Sequence, residues 1–144
     1  MSAGTDGPRP LISISRLTVR DDRIVCEVVL APDAPRRTSG ALAAQVRAAF
    51  PGIDEHACLN AEGRTFGAVI DHTSLPHMLE HLVIHLQALA SAPGTPAFVG
   101  TTELEDAAGT KARIEVGFAD DLVALRAFRD AVAFLNATLA PLSS

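Results

Sequence analysis

Ser74-Leu75-Pro76-His77-Met78-Leu79-Glu80-His81-Leu82-Val83-Ile84-His85-Leu86-Gln87-Ala88-Leu89-Ala90 is the stretch on which the fold turns. Ser74 suits an N-cap and Pro76 a first turn, while Ser91, Pro93 and Gly94 break helical continuation, so the spacing predicts one helix ending near Ala90. Leu75, Met78, Leu79, Leu82, Val83, Ile84, Leu86, Leu89 and Ala90 surround nearly its whole circumference. A helix apolar all round is a central, buried element rather than a surface one.

The flanking sequence supplies what such a helix needs to pack against. Residues 11–20 and 23–31 are rich in Ile, Val and Leu, partly alternating, and Asp21-Asp22 between them predicts a hairpin. Thr38 or Ser39 can cap a helix to about Phe50, which Pro51-Gly52 ends. Residues 53–73 show no regular period. Two further strands, about 97–105 and 112–119, flank Asp106 to Gly109 as a second hairpin. Asp120 or Asp121 then caps a last helix to about Leu139, with Leu122, Leu125, Phe128, Val132 and Leu135 at helical spacing. The order ββααββα predicts one α+β domain over 11–142, an antiparallel sheet of about four strands with helices packed on one face, after a loose leader over 1–10.

Composition limits the function. A chain of 144 residues with 48% hydrophobic and 20% charged residues is ordinary for one globular domain. Twelve Lys and Arg against seventeen Asp and Glu give a net charge of −5, the wrong sign for neutralising phosphates, and with neither Trp nor Tyr the stacking surface for bases is poor. Nucleic acid is therefore not an expected partner, and neither is a membrane, because no apolar run approaches the length of about 18 residues that spans a bilayer. With no leader pattern and only Cys26 and Cys58, the expected setting is the cytoplasm, Cys26 being packed among strand residues.

All five histidines, His56, His72, His77, His81 and His85, fall within residues 56–85, together with Cys58. On the central helix His77 and His81 stand one turn apart on one face, where their ring nitrogens can converge on one tetrahedral zinc ion. Glu80 shares that side as a base for water. This His-x-x-Glu-His pattern is the inverted form of the zinc-protease helix. Two imidazoles and a carboxylate on a buried helix demand partners, since an unpaired buried charge is costly, and a metal would satisfy all three. A plain His-Glu pair on a solvent-facing stripe is the structural alternative. For the third ligand His56 or Cys58 is the choice, with Glu103, Glu105 and Glu115 as carboxylate options; His85, two turns from His77, suits a supporting or substrate contact.

The blocks Phe50-Pro51-Gly52-Ile53-Asp54-Glu55-His56-Ala57-Cys58, His77 through Gln87, Gly100-Thr101-Thr102 and the strand from Arg113 to Phe118 resemble, in order and spacing, the N-terminal domain of cyanophycin synthetase, over about residues 48–120. Departures are Leu59 where that family has Ser, a reduced turn around Phe66-Gly67, His72 to His77 in place of a Gly-Thr-Trp-x-Gly-His lead-in, His85 where a Glu is usual, and Glu103 where an Arg is usual. No ligase module follows, so the chain resembles a stand-alone copy of that one domain and is not expected to synthesise the polymer.

The resemblance implies either a polymer-tethering scaffold or a zinc-dependent site that trims an aspartate-arginine polymer, and the residues favour the second. The expected activity is thus a zinc hydrolase, peptidase or amidase, acting on cyanophycin-like or other peptide bonds with Glu80 as general base. If arginine-rich chains are the substrate, Glu103, Glu105, Asp106, Asp120 and Asp121 could attract guanidinium groups, although all five also read as solvated hairpin and cap carboxylates. The alternative from another class is a non-catalytic peptide-binding or assembly module that keeps the fold. A zinc lyase or isomerase ranks last, and the sequence leaves the oligomeric state open.

Overall fold

The computed structural model describes residues 9–142. The leader expected over 1–10 therefore lies, for residues 1–8, outside the described residues. Strands β1 (Ile12–Val19) and β2 (Arg23–Leu30) form the first predicted hairpin, with Arg20 N donating to Arg23 O at 2.8 Å across the Asp21-Asp22 turn. Helix α1 (Gly40–Ala49) starts at Ser39, whose hydroxyl accepts from Leu42 N. Helix α2 (Leu75–Leu89) starts at Ser74, which accepts from His77 N with Pro76 in the first turn. Asp120 Oδ1 accepts from the amides of Leu122 and Val123 and so caps helix α3 (Asp121–Leu142).

The segment predicted as irregular holds a small hairpin of its own, β3 (Ala57–Asn60) with β4 (Gly63–Thr65), between the 3-10 turns Ile53–Glu55 and Phe66–Ala68. Strands of four and three residues are too short for alternation to stand out in the sequence. The second predicted hairpin is β5 (Gly100–Leu104) with β6 (Lys111–Gly117). Asp106 closes its turn, Oδ1 accepting from Thr110 N at 2.8 Å and Lys111 N at 3.1 Å, and Gly109 supplies the left-handed residue at φ 72°.

Antiparallel pairing of β2 with β6 joins the two hairpins into one sheet of order β1-β2-β6-β5. Its inner face carries Ile24, Cys26, Val28 and Leu30 from β2 and Ala112, Ile114 and Val116 from β6, all buried, against α2 and α3. On the outer face the register lines up Arg16, Glu27, Arg113 and Glu103, alternating in sign across all four strands. The predicted α+β class, four-stranded antiparallel sheet and one-sided helices are all present. Cys26 is packed as expected, and burial pushes its thiol up to about 12, which leaves it inert as a nucleophile. Asn136 ties α3 to the sheet edge: its Oδ1 accepts from Leu11 N and Ile12 N while its Nδ2 donates to Ile12 O.

Candidate metal centre

Helix α2 lies between the sheet and the β3–β4 hairpin, so its histidine face is covered. His81 is 2% and Glu80 4% exposed, which removes the solvent-facing stripe that the structural alternative requires. The rings of His77 and His81 meet edge to face at 4.9 Å between centroids, and Phe66, from the turn after β4, stacks on His81 at 4.1 Å. Cys58, facing inward from β3, completes the group: one ligand atom each from Cys58, His77 and His81 lie within 4.8 Å of one another. Cys58 Sγ stands 3.5 Å from His77 Nε2. On the other side of that ring Thr73 Oγ1 is 2.8 Å from Nδ1; with Nδ1 as donor, the Nε2 lone pair faces the cysteine.

The donor set of one sulfur and two imidazoles suits a borderline-soft divalent ion. Burial lowers His77, and holds His81 down to about 3, assisted by the neighbouring His77 and His56. Both are therefore neutral at pH 7, the form that ligates. Asn60 Nδ2 sits 3.6 Å from Cys58 Sγ and donates to Cys58 O. Leu59 projects to the opposite side of β3, 90% exposed, so that departure from the family pattern leaves the ligand position undisturbed.

His56, the other choice for third ligand, is placed differently. Its Nδ1 is 3.1 Å from His81 Nδ1 and its Nε2 is 3.0 Å from His85 Nδ1, so three rings form a chain leading away from the Cys58 side. Each contact needs one donor and one acceptor nitrogen, which neutral rings provide. His85 is thus a support for His56, packed edge-on against Phe50. His72 stands apart at the surface, between Asp71 and Glu62, whose hydrogen bonds raise its pKa.

Glu80 Oε1 accepts from Thr102 Oγ1 at 2.6 Å, and its Oε2 is 3.6 Å from His81 Nε2. Burial pushes the carboxyl up to about 7 against the opposing effect of the Thr102 bond. Close approach of β5 is possible because Gly100 has no side chain. A Cβ there would stand 2.9 Å from Glu80 Cγ and 3.0 Å from Oε2. Gly100→Ala is expected to displace the Glu80 side chain and to lower stability by about 1–3 kcal/mol, as overpacking does. An unchanged urea midpoint would contradict this.

Glu103 is not brought to the cluster. Thr102 pairs with Ile114 on the inner face, and Glu103, one residue on, pairs with Arg113 on the outer face. Glu103, a carboxylate option for the third ligand and a choice for substrate contact, thus faces away from the metal group. Asp106 and Asp120 are engaged in capping backbone amides, as the plain structural reading has it. Thr73, Asn60 and Phe66 carry no site signal in the sequence, because only the fold brings them to α2. Thr102 and Gly100 belong to the Gly100-Thr101-Thr102 block, whose role the sequence leaves open.

A cavity of about 410 Å³ adjoins the cluster. His56, Ala57, His81 and Ile84 line one side, and the segment Ser91 to Phe98, between α2 and β5, forms the other.

The shifted groups set a pH dependence for metal-free protein. His81 and His56, held down to about 3 and about 4 by burial from an ordinary 6.5, bind fewer protons in the native than in the unfolded chain, so their stability is lost as pH falls below 6.5. Glu80, raised from 4.5 to about 7, acts oppositely, favouring the native state less as pH rises through that window. Two histidines outweigh one carboxyl. Chelator-treated protein is expected to show a higher urea midpoint at pH 6.5 than at pH 5, with the difference reduced in His56→Gln; equal midpoints in the parent protein would refute the assignment.

An α+β domain whose central buried helix presents two histidines to a cysteine from a neighbouring hairpin, with a buried glutamate turned to the sheet beside them, is the class that fold and site define. The chain belongs to the family of cyanophycin synthase-like N-terminal domains, whose model matches residues 24–140. No curated protein and no solved structure matches it. Among the described residues no helix is long and apolar enough to cross a membrane.

Proposed function

We propose that this domain is a metal-dependent hydrolase of peptide amide bonds, with Cys58, His77 and His81 as ligands and Glu80 as general base. The observation that carries this reading is the placement of Glu80: a buried carboxylate, fixed by Thr102 and Gly100, beside a three-donor group whose His81 lines a cavity.

A bound divalent ion, zinc by the chemistry of the donors, would supply Lewis acidity, acidifying water and polarising a carbonyl. The residues do the rest. Glu80 takes a proton from the attacking water as the new C–O bond forms, and delivers it to the amine nitrogen as the C–N bond breaks. A carboxyl displaced upward by burial is suited to both halves of that transfer. Thr102 holds one carboxylate oxygen in place through the exchange, and Phe66 fixes the plane of the His81 ring.

Burial of Glu80 also favours a second reading, a peptide-binding module that keeps the donor group for structure alone. Incubating zinc-loaded protein with a peptide library and resolving the products by mass spectrometry separates the two. New termini, lost in Glu80→Gln, support hydrolysis, whereas capture of intact peptides without cleavage supports the module.

A further inference from the structure

The cavity beside the cluster has a chemistry of its own. Ile84, Ala88, Pro96 and Phe98 supply its apolar surface, His56 and His81 its polar end with Ser91 and Thr95 on the loop side, and among the described residues no Asp, Glu, Lys or Arg lines it. Its volume of about 410 Å³ lies in the range of sites that enclose a small ligand or a peptide residue with its adjoining amides. Glu80, the nearest buried carboxylate, is committed to Thr102 and does not line the space. Glu103 is on the far face of the sheet.

A guanidinium seated against the apolar lining would give up water on that side and meet no carboxylate. Phe98 could offer a cation–π contact, but such a contact is weak compared with the loss of hydration by an unpaired ion. A carboxylate would fare no better, since among the described residues no Lys or Arg lines the space to receive it. An apolar side chain, by contrast, has no polar hydration to lose on entry and covers apolar surface.

We infer that the cavity bordered by His81, Ile84, Ala88 and Phe98 is the substrate side-chain pocket of this domain, and that it selects an uncharged, apolar residue over the arginine or aspartate of a charged polymer. The assignment rests on the hydrolase reading, in which the neighbouring cluster is the reacting centre. It differs from the aspartate-arginine polymer that the family resemblance implies.

The test is an NMR titration of the full 15N-labelled, zinc-loaded chain with N-acetyl-leucinamide and N-acetyl-argininamide. The leucine amide is expected to shift the amides of Ala88, Thr95 and Phe98 and to bind about tenfold or more tighter than the arginine amide. Ala88 is exposed at the cavity rim, so Ala88→Glu places a carboxylate there without disturbing the core and should raise the affinity for the arginine amide to that of the leucine amide or beyond. Equal or tighter binding of the arginine amide by the parent protein overturns the assignment, as does binding of neither probe, or shifts that map elsewhere. A leucine preference with no cleavage of any peptide sinks the hydrolase reading and supports the pocket; cleavage with an arginine preference does the reverse.

Discussion

Glu80→Gln is expected to lower amide hydrolysis by about 10²–10⁴-fold, the span typical of a lost general base, while metal affinity stays close to that of the parent protein. The two effects separate because Glu80 is not one of the three grouped donors. Gln retains the shape of Glu, and its Oε1 can still accept from the Thr102 hydroxyl that now bonds Glu80. Stability supplies an independent reading of the same variant. Burial pushes the Glu80 carboxyl up to about 7, so at pH 8 the parent protein holds a buried carboxylate that folding disfavours. Gln carries no charge at any pH, and metal-free Glu80→Gln should therefore unfold at a temperature equal to or above the parent's at pH 8. A large fall in midpoint would show that the carboxylate is a structural partner of its neighbours. Unchanged hydrolysis with a preserved fold would remove Glu80 from the chemistry altogether.

What the sequence makes legible is what short-range periodicity encodes. Helix α2, its Ser74 cap, its largely buried circumference, which gives way to exposed residues at Ala88, Leu89 and Ala90, and the one-turn spacing of His77 and His81 all derive from neighbours a few residues apart. The two long hairpins are legible for the same reason, since Asp21-Asp22 and Asp106 to Gly109 mark their turns. Pairing of β2 with β6 is not, because nothing local distinguishes it from other orders of the same four strands. That long-range pairing decides which residues reach α2. It turns Thr102 inward and Glu103 outward, so a one-residue difference in facing separates the partner of Glu80 from a charge on the opposite side of the sheet. The choice between His56 and Cys58 likewise depends on β3, a strand of four residues. Once Cys58 faces inward from that strand, His56 at its entrance reaches Nδ1 of His81 and Nδ1 of His85 instead. Residues 91–96 read only as a helix stop in the sequence and 97–98 as the start of a strand, yet the loop they form before β5 builds a wall of the cavity. Loops carry function of this kind without leaving a period to detect.

Cys58→Ser is expected to weaken metal binding by on the order of 10²–10³-fold, and His77→Ala by a similar amount. Structural zinc sites with four ligands bind with about 10–16 kcal/mol at neutral pH, so one ligand is worth roughly 3 kcal/mol or somewhat more. Cobalt substitution reports the ligand directly: cobalt-loaded parent protein should show a thiolate-to-metal charge-transfer band that Cys58→Ser lacks and His77→Ala retains in weakened form. Cys26 cannot supply the band in its place, because it lies fully buried in the sheet with its thiol pushed up to about 12. The same site should couple to folding, since an ion that binds the native chain alone stabilises it in proportion to the logarithm of its concentration. At about 1,000 times the dissociation constant that coupling is worth about 4 kcal/mol, which would raise the unfolding temperature of the parent protein by several degrees or more. His56→Ala should keep most of this shift, because His56 stands outside the grouped donors, whereas His81→Ala should abolish it. The reverse pattern, with His56 indispensable and Cys58 dispensable, would mean that the ion is bound along the His81–His56–His85 chain and that Cys58 only packs beside His77.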